Sequence, residues 1–195
     1  MKVFRLKAIL LSSLVLLPLN LVADTTTADQ TLQEARSVVK TFGGHLKSAL
    51  KPAMKNGGPV NAIEICNLQA GPIADTLSVN SKWQVNRTSL KVRNASNTPD
   101  AWELKTLLQF EQRKSAGERV KTIEYSEHVK QEGLSVYRYM KAIPTAGLCL
   151  KCHGDQLDDA VSAKLKTLYP YDQAVGFNKG DIRGAFSLKK TLPLL

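Results

Sequence analysis

The chain reads as an α+β fold, an antiparallel β-sheet with helices set around it, and three features point there. Two strand-like runs, Val120–Val129 and Leu134–Ile143, are joined by a short turn over Gln131, Glu132 and Gly133, the spacing of a hairpin. Stretches with helical periodicity lie outside that hairpin, so strands fall in local pairs with helices segregated around them. No internal repeat, low-complexity tract or long linker divides the chain, which therefore forms one compact unit.

At the N-terminus, Lys2, Arg5 and Lys7 precede an apolar stretch from Ala8 to Val22 that Ser12, Ser13, Pro18 and Asn20 interrupt. It is shorter than the roughly 20 apolar residues a bilayer span needs. With Ala23 closing it, residues 1–23 read as a secretory signal peptide, with Ala28 as a second cleavage point. Residues 24–195 then form a single periplasmic domain of 172 residues, long enough to bury a core without disulfide staples. Membrane association is expected only if the signal is retained as an anchor.

Leu32, Ala35, Val38, Val39, Phe42, Leu46, Leu50 and Met54 recur at helical spacing behind a Thr31/Glu34 capping box, with a kink expected at Gly43-Gly44. After Asn56-Gly57-Gly58, Pro59 fits the first turn of a second helix that runs to about Ala70, with Val60, Ile63 and Cys66 on one side. Trp83 to Arg93 is rich in strand formers. Pro99 and Asp100 open a helix through Trp102, Leu104, Leu107, Leu108 and Phe110. The hairpin follows, then a helix from about Leu157 to Leu168 stopped by Pro170, and a last strand from Ile182 to Leu188.

Between the hairpin and that last helix stands Cys149-Leu150-Lys151-Cys152-His153. Two thiols three positions apart can add across the two vinyl groups of one porphyrin, and the adjacent imidazole is placed to bind its iron. A structural zinc site needs four ligands, and the chain offers only Cys66, His45 and His128 beyond the pentad, all scattered. A thioredoxin-type dithiol requires a strand-to-helix turn that Ala142–Leu148 does not suggest. A plain disulfide is the remaining alternative. His153 and the export signal together favour one covalently attached haem c, held by Cys149 and Cys152 with His153 as an iron ligand.

The second axial ligand stays open between Cys66, His45, Met54, Met140 and His128. Met140 shares a strand face with Val136 and Ala142, which suits packing. His45 lies beside the apolar stripe of the first helix, His128 near a charged strand end, and Met54 at a helix end. Cys66 stands out because thioether formation leaves it the one unpaired thiol of an exported chain, so it should be buried, paired between chains or bound to metal. A thiolate on iron favours the ferric state. Arg87, Arg93 and Arg183 are candidates to hold propionate carboxylates by charge-assisted hydrogen bonds.

The formal charge of +10, which becomes +7 without the three signal cations, fits an anionic porphyrin, an acidic redox protein, a membrane surface or solubility alone. Export argues against nucleic acid as a partner.

Three stretches also resemble an exported haem-binding family long catalogued as a domain of unknown function, whose characterised type is a c-type cytochrome with a PAS-like fold. They are Ala62-Ile63-Glu64-Ile65-Cys66; Arg87 to Asn94 with Asn97, Pro99, Asp100, Ala101, Trp102 and Glu103; and the pentad with Gly154, Tyr169-Pro170, Asp172, Ala174, Gly176 and Gly180 to Phe186. Ala95 departs from the family's proline. The resemblance implies a PAS-like antiparallel sheet flanked by helices, His153 and Cys66 as the two axial ligands, and a sensory or redox-signalling role.

The expected function is a mono-haem sensor of redox state or small gases that hands its output to a periplasmic signalling or redox partner. A simple electron carrier is the alternative. A peroxidase-like enzyme is the weakest reading, because it needs an open distal site and an acid/base group.

Overall fold

The computed structural model describes residues 20–192, with side chains from residue 29. The expected signal, residues 1–23, lies outside the described residues except for the backbone of 20–23.

Four antiparallel strands make one sheet: β1 (Gln84–Thr88), β2 (Glu124–Gln131), β3 (Leu134–Pro144) and β4 (Ile182–Thr191), in the order β1-β4-β3-β2. The expected hairpin is β2–β3. Its turn is two residues, Glu132 (φ 52°) and Gly133 (φ 79°), and left-handed backbone at both matches the right-handed twist of the strands.

The sheet is covered on both faces. Helix α1 (Asn20–Ser81) lays Ala35, Val38, Val39 and Phe42 against Val85, Tyr137, Tyr139 and Leu188, the stripe the sequence predicts. Helix α2 (Ala101–Ser115) covers the other face with Leu107 and Phe110 against Met140, Ala142 and Ala185. Each large apolar side chain so buried contributes about 1.5–3 kcal/mol. Two short helices, α3 (Leu150–His153) and α4 (Asp159–Leu168), follow β3. Val161 and Leu165 of α4 pack on Ile63 of α1. Among the described residues no helix is long and apolar enough to cross a membrane.

α1 departs from expectation in three ways. Helical backbone from Asn20 onward places Thr31 and Glu34 inside the helix rather than at its cap. The expected break at Gly57-Gly58 is present, and there Gly58 (φ 65°, ψ −160°) occupies backbone open to glycine alone. At Gly43 the helix continues, and the missing Cβ instead lets Phe186 approach, since a Cβ there would stand 3.3 Å from its ring. Finally, the helix passes Ala70 and Pro72 to reach Ser81, because Ala74 and Leu77 join the core; tertiary burial outweighs the proline.

β1 stops at Thr88, five residues before the predicted end at Arg93. Beyond the Thr88–Ala185 pair the chain leaves the ladder: Ser89 Oγ donates to Arg183 O at 2.8 Å, and Gln173 N to Val92 O at 2.8 Å. Ser89, Leu90 and Lys91 thereby line a cavity with Phe177 and Gly184, and Arg93 reaches Asp172, rather than extending a strand. α2 begins where expected, with Asp100 and Glu103 in a reciprocal capping box. Buried Arg138 pairs with Asp100 at 2.7 Å and lies 4.3 Å over the Trp102 ring. The Asp100-Ala101-Trp102-Glu103 stretch is thus an anchor of α2 on the sheet, distant in role from the pentad.

Candidate cofactor cleft

β3 ends in an irregularity at Ile143/Pro144, and the chain stays tethered to the start of β4: Thr145 N donates to Asp181 O at 2.8 Å and Gly180 N to Thr145 O at 2.9 Å. A single 3-10 turn, Gly147–Cys149, feeds α3. This places Cys149 and Cys152 on consecutive turns of one short helical segment, both half-buried and both free thiols. Ala146 N donates to Cys149 Sγ at 3.4 Å. Gly154 closes the segment with its N–H on Leu150 O at 3.0 Å; a Cβ there would lie 2.7 Å from that oxygen.

The irregular segment 174–177, with Gly176 at φ 70°, braces His153. Phe177 N donates to His153 O and Gly176 N to Gly154 O, each at 2.9 Å. The imidazole Nδ1 lies 2.7 Å from Ala174 O and 3.2 Å from Arg183 Nε. A carbonyl can only accept, so Nδ1 carries the proton and the Arg183 approach is a contact of two donors rather than a hydrogen bond. Burial, then the charges of Arg183 and Arg93, push the His153 pKa down to about 2. His153 is therefore neutral, with its lone pair on Nε2, the form that ligates a metal. Phe177 stands edge-on to the ring at 6.2 Å.

Cys66, on the α1 segment after the Gly57-Gly58 break, belongs to the same cleft. Burial raises the Cys152 pKa, with Arg93 opposing and the Cys66 and Cys149 thiols adding to it. The Cys66 pKa is likewise pushed up by surrounding protein, against the pull of Arg87 and Arg93. Cys66 is not buried with Val60 and Ile63 as the sequence suggested. Water reaches it, and it joins none of the apolar clusters, because the helical face that carries Ile63 toward α4 turns Cys66 toward the cleft.

The three arginines differ in what they touch. Arg93 donates to Asp172, Cys152 O and Ala174 O. Arg183 reaches Ser89 Oγ and Lys91 O only at 3.3 and 3.4 Å, and burial, Arg93 and Arg87 push its pKa down to about 10. Arg87 stands 5.9 Å over Phe42 and donates to no acceptor among the described residues, and burial lowers its pKa. Three guanidiniums against one carboxylate, Asp172, leave the cleft cationic. A dianionic cofactor supplies what such a cleft lacks; two thiols suit the vinyl groups of a porphyrin and an imidazole with a bare nitrogen suits its iron, so these residues fit the predicted group.

The other candidate iron ligands lie elsewhere. Met140 is wholly buried against α2, on the sheet face away from Phe42 and Arg87. His45 and His128 are exposed, the latter edge-on to Tyr137 at 4.7 Å, and Met54 is half-buried on the first α1 segment. Among the described residues no group of three or more His, Cys, Asp or Glu could hold a metal ion by itself.

The family model described as Tll0287-like matches residues 22–190. The chain belongs to the Tll0287-like family. Its fold matches the crystal structure of the cyanobacterial heme-protein Tll0287, with a TM-score of 0.61 and 22% identity over 87% of this chain and 96% of that one. The match agrees with a PAS-like arrangement of sheet and flanking helices. No curated protein matches. Within this Tll0287-like fold, sequence reasoning assigned no role to Tyr169, Phe177, Asp172 or the Ala174 carbonyl. All but Phe177 fall in the stretch after the pentad that carried the family resemblance, which was the available signal.

Proposed function

We propose that the chain is an exported mono-haem c-type cytochrome that senses redox state or a small gas. The observation that carries this reading is His153, neutral and with Nε2 free, set between two free thiols and a cationic cleft that Cys66 shares. Haem bound there supplies a one-electron redox centre whose iron can take an external ligand. Cys149 and Cys152 fix it by thioethers, and His153 presents Nε2 while Ala174 O holds the proton on Nδ1. Arg87, which donates to no acceptor among the described residues, and Arg183 receive propionate oxygens. Cys66 is the second axial ligand; burial raises its pKa, and the charges of Arg87 and Arg93 oppose that rise.

The position of Cys66 supports sensing over simple electron transfer. It packs in no core cluster among the described residues, so exchanging it for an external ligand disturbs no core contact. An iron that only shuttles electrons gains from rigid ligation. The basic surface, +10 over the whole chain, favours a second reading, a carrier that docks on acidic partners.

EPR and optical spectra of the wild type, Cys66→Ala and Cys66→Met test the ligation. A low-spin thiolate signature present only in the wild type is expected. An unchanged spectrum in both variants removes Cys66 from the iron. Ferrous protein that binds neither CO nor NO and stays low-spin removes the sensing role.

A further inference from the structure

The Ala174 carbonyl has two claimants. His153 Nδ1 lies 2.7 Å from it and Arg93 Nη2 3.1 Å. That same Nη2 also faces Cys152 O at 2.6 Å and Asp172 Oδ2 at 2.9 Å, while Nε reaches Asp172 at 3.0 Å. Nη2 has two hydrogens for three acceptors, and its contact with Ala174 O is the longest of the three, the one with most room to tighten or relax. Asp172 is tied to the same residue from the other side, since its Oδ1 accepts from Ala174 N at 2.8 Å. Both side chains of the pair are nearly hidden from water, at 11% and 10% exposure, so the arrangement is held rather than sampled.

A second, charged donor draws electron density from a carbonyl and weakens the bond it accepts from the first. The weaker the Nδ1–H···O bond, the less negative charge the imidazole carries and the poorer a donor Nε2 becomes. We propose that Arg93 is a positioning residue that sets the donor strength of His153 by competing with its Nδ1–H for the Ala174 carbonyl. This rests on the haem reading above. In that arrangement Arg93 is spent on Asp172, Cys152 O and Ala174 O rather than on a propionate, and its hold on His153 runs through Ala174. Asp172 governs the competition by engaging the same Nη2.

The two residues then have opposite signs. In haem-loaded Arg93→Gln, Ala174 O belongs to His153 alone, the imidazole donates more strongly, and the ferric state is favoured by about tenfold, a midpoint about 59 mV lower for one electron. In Asp172→Asn, which retains an oxygen for Ala174 N, Nη2 loses its carboxylate, turns to Ala174 O and raises the midpoint. The His153 Nδ1 proton, followed by NMR in the diamagnetic ferrous CO form, moves downfield in Arg93→Gln and upfield in Asp172→Asn, a readout that general loosening of the loop does not produce.

Midpoints that shift in the same direction in both variants overturn the proposal. So does an Nδ1 proton that stays in place in either one. Should Arg93→Gln fail to mature, Asp172→Asn alone decides, because a lowered or unchanged midpoint there contradicts the competition. A wild-type protein that takes up no haem overturns the proposed function and this assignment with it, whereas haem-loaded protein with unresponsive variants overturns this assignment alone.

Discussion

Arg87 gives a prediction whose sign depends on whether the cleft is filled. Its guanidinium is half-buried, has Phe42 5.9 Å beneath it and donates to no acceptor among the described residues, and burial lowers its pKa. A cation held out of water without a partner costs free energy, and replacing it by an apolar chain of similar length is neutral or stabilising. Arg87→Met should therefore leave the haem-free protein as stable as before or more so, by up to about 1 kcal/mol. With a propionate seated on Arg87 the balance reverses, because removing one member of a buried ion pair costs about 3–5 kcal/mol. Taking about 3 kcal/mol for a half-buried site, the loaded variant should melt about 6–12 °C below the loaded wild type, at roughly 2–4 °C per kcal/mol for a domain of this size. The assay is thermal unfolding of four samples: wild type and Arg87→Met, each matured with haem or made haem-free through Cys149→Ser and Cys152→Ser. Equal destabilisation of the loaded and haem-free forms would refute the reasoning, since it would make Arg87 a purely structural residue.

Glu124 accepts from Arg36, Tyr139 and Lys141, and against the cost of burial these hold its pKa at about 2. A depressed carboxylate stabilises the fold above its unfolded pKa and loses that contribution as pH falls through the folded value. The full difference corresponds to about 3 kcal/mol, which water in this partly exposed groove reduces to about 1–2 kcal/mol. Glu124→Gln should therefore destabilise by that amount at pH 7 and by almost nothing near pH 2; urea unfolding across that range checks it, and a pH-independent loss would contradict it. Gly184 (φ 152°) sits where a Cβ would intrude on Thr88 O and stand 3.0 Å from Ser89 Cβ. Gly184→Ala should cost about 2–4 kcal/mol and lower haem incorporation by displacing Arg183, as read from denaturant midpoints and pigment yield; wild-type stability would show that the β1–β4 approach is loose.

What the residues revealed in advance follows a physical division. The pentad was legible because its chemistry depends on spacing along the chain, and the α1 stripe from Ala35 to Phe42 because burial against a sheet imposes the period that appears there. The hairpin turn was legible because Gly133 permits the left-handed backbone it needs. The end of α1 was not, since Gly71-Pro72 reads as a stop and only the tertiary burial of Ala74 and Leu77 carries the helix past it. Nor was the end of β1: Trp83 to Arg93 has strand composition throughout, and the exit after Thr88 is set by Arg183 O and Val92 O finding partners remote in sequence. Cys66 was expected inside because Ile63 precedes it by one turn. In the structure Ile63 packs on α4 while Cys66 stays outside that cluster, and no pattern in the sequence records the difference. The partner of His153 is a main-chain oxygen, Ala174 O, to which residue identity contributes nothing.

The account stands on a covalent bond between porphyrin and the segment after β3. Protein matured with the cytochrome c assembly machinery, denatured and extracted with acidified organic solvent, should keep its colour and carry the mass of one haem on the peptide containing Cys149 and Cys152. Colourless protein, or pigment that passes entirely into the solvent, would contradict it.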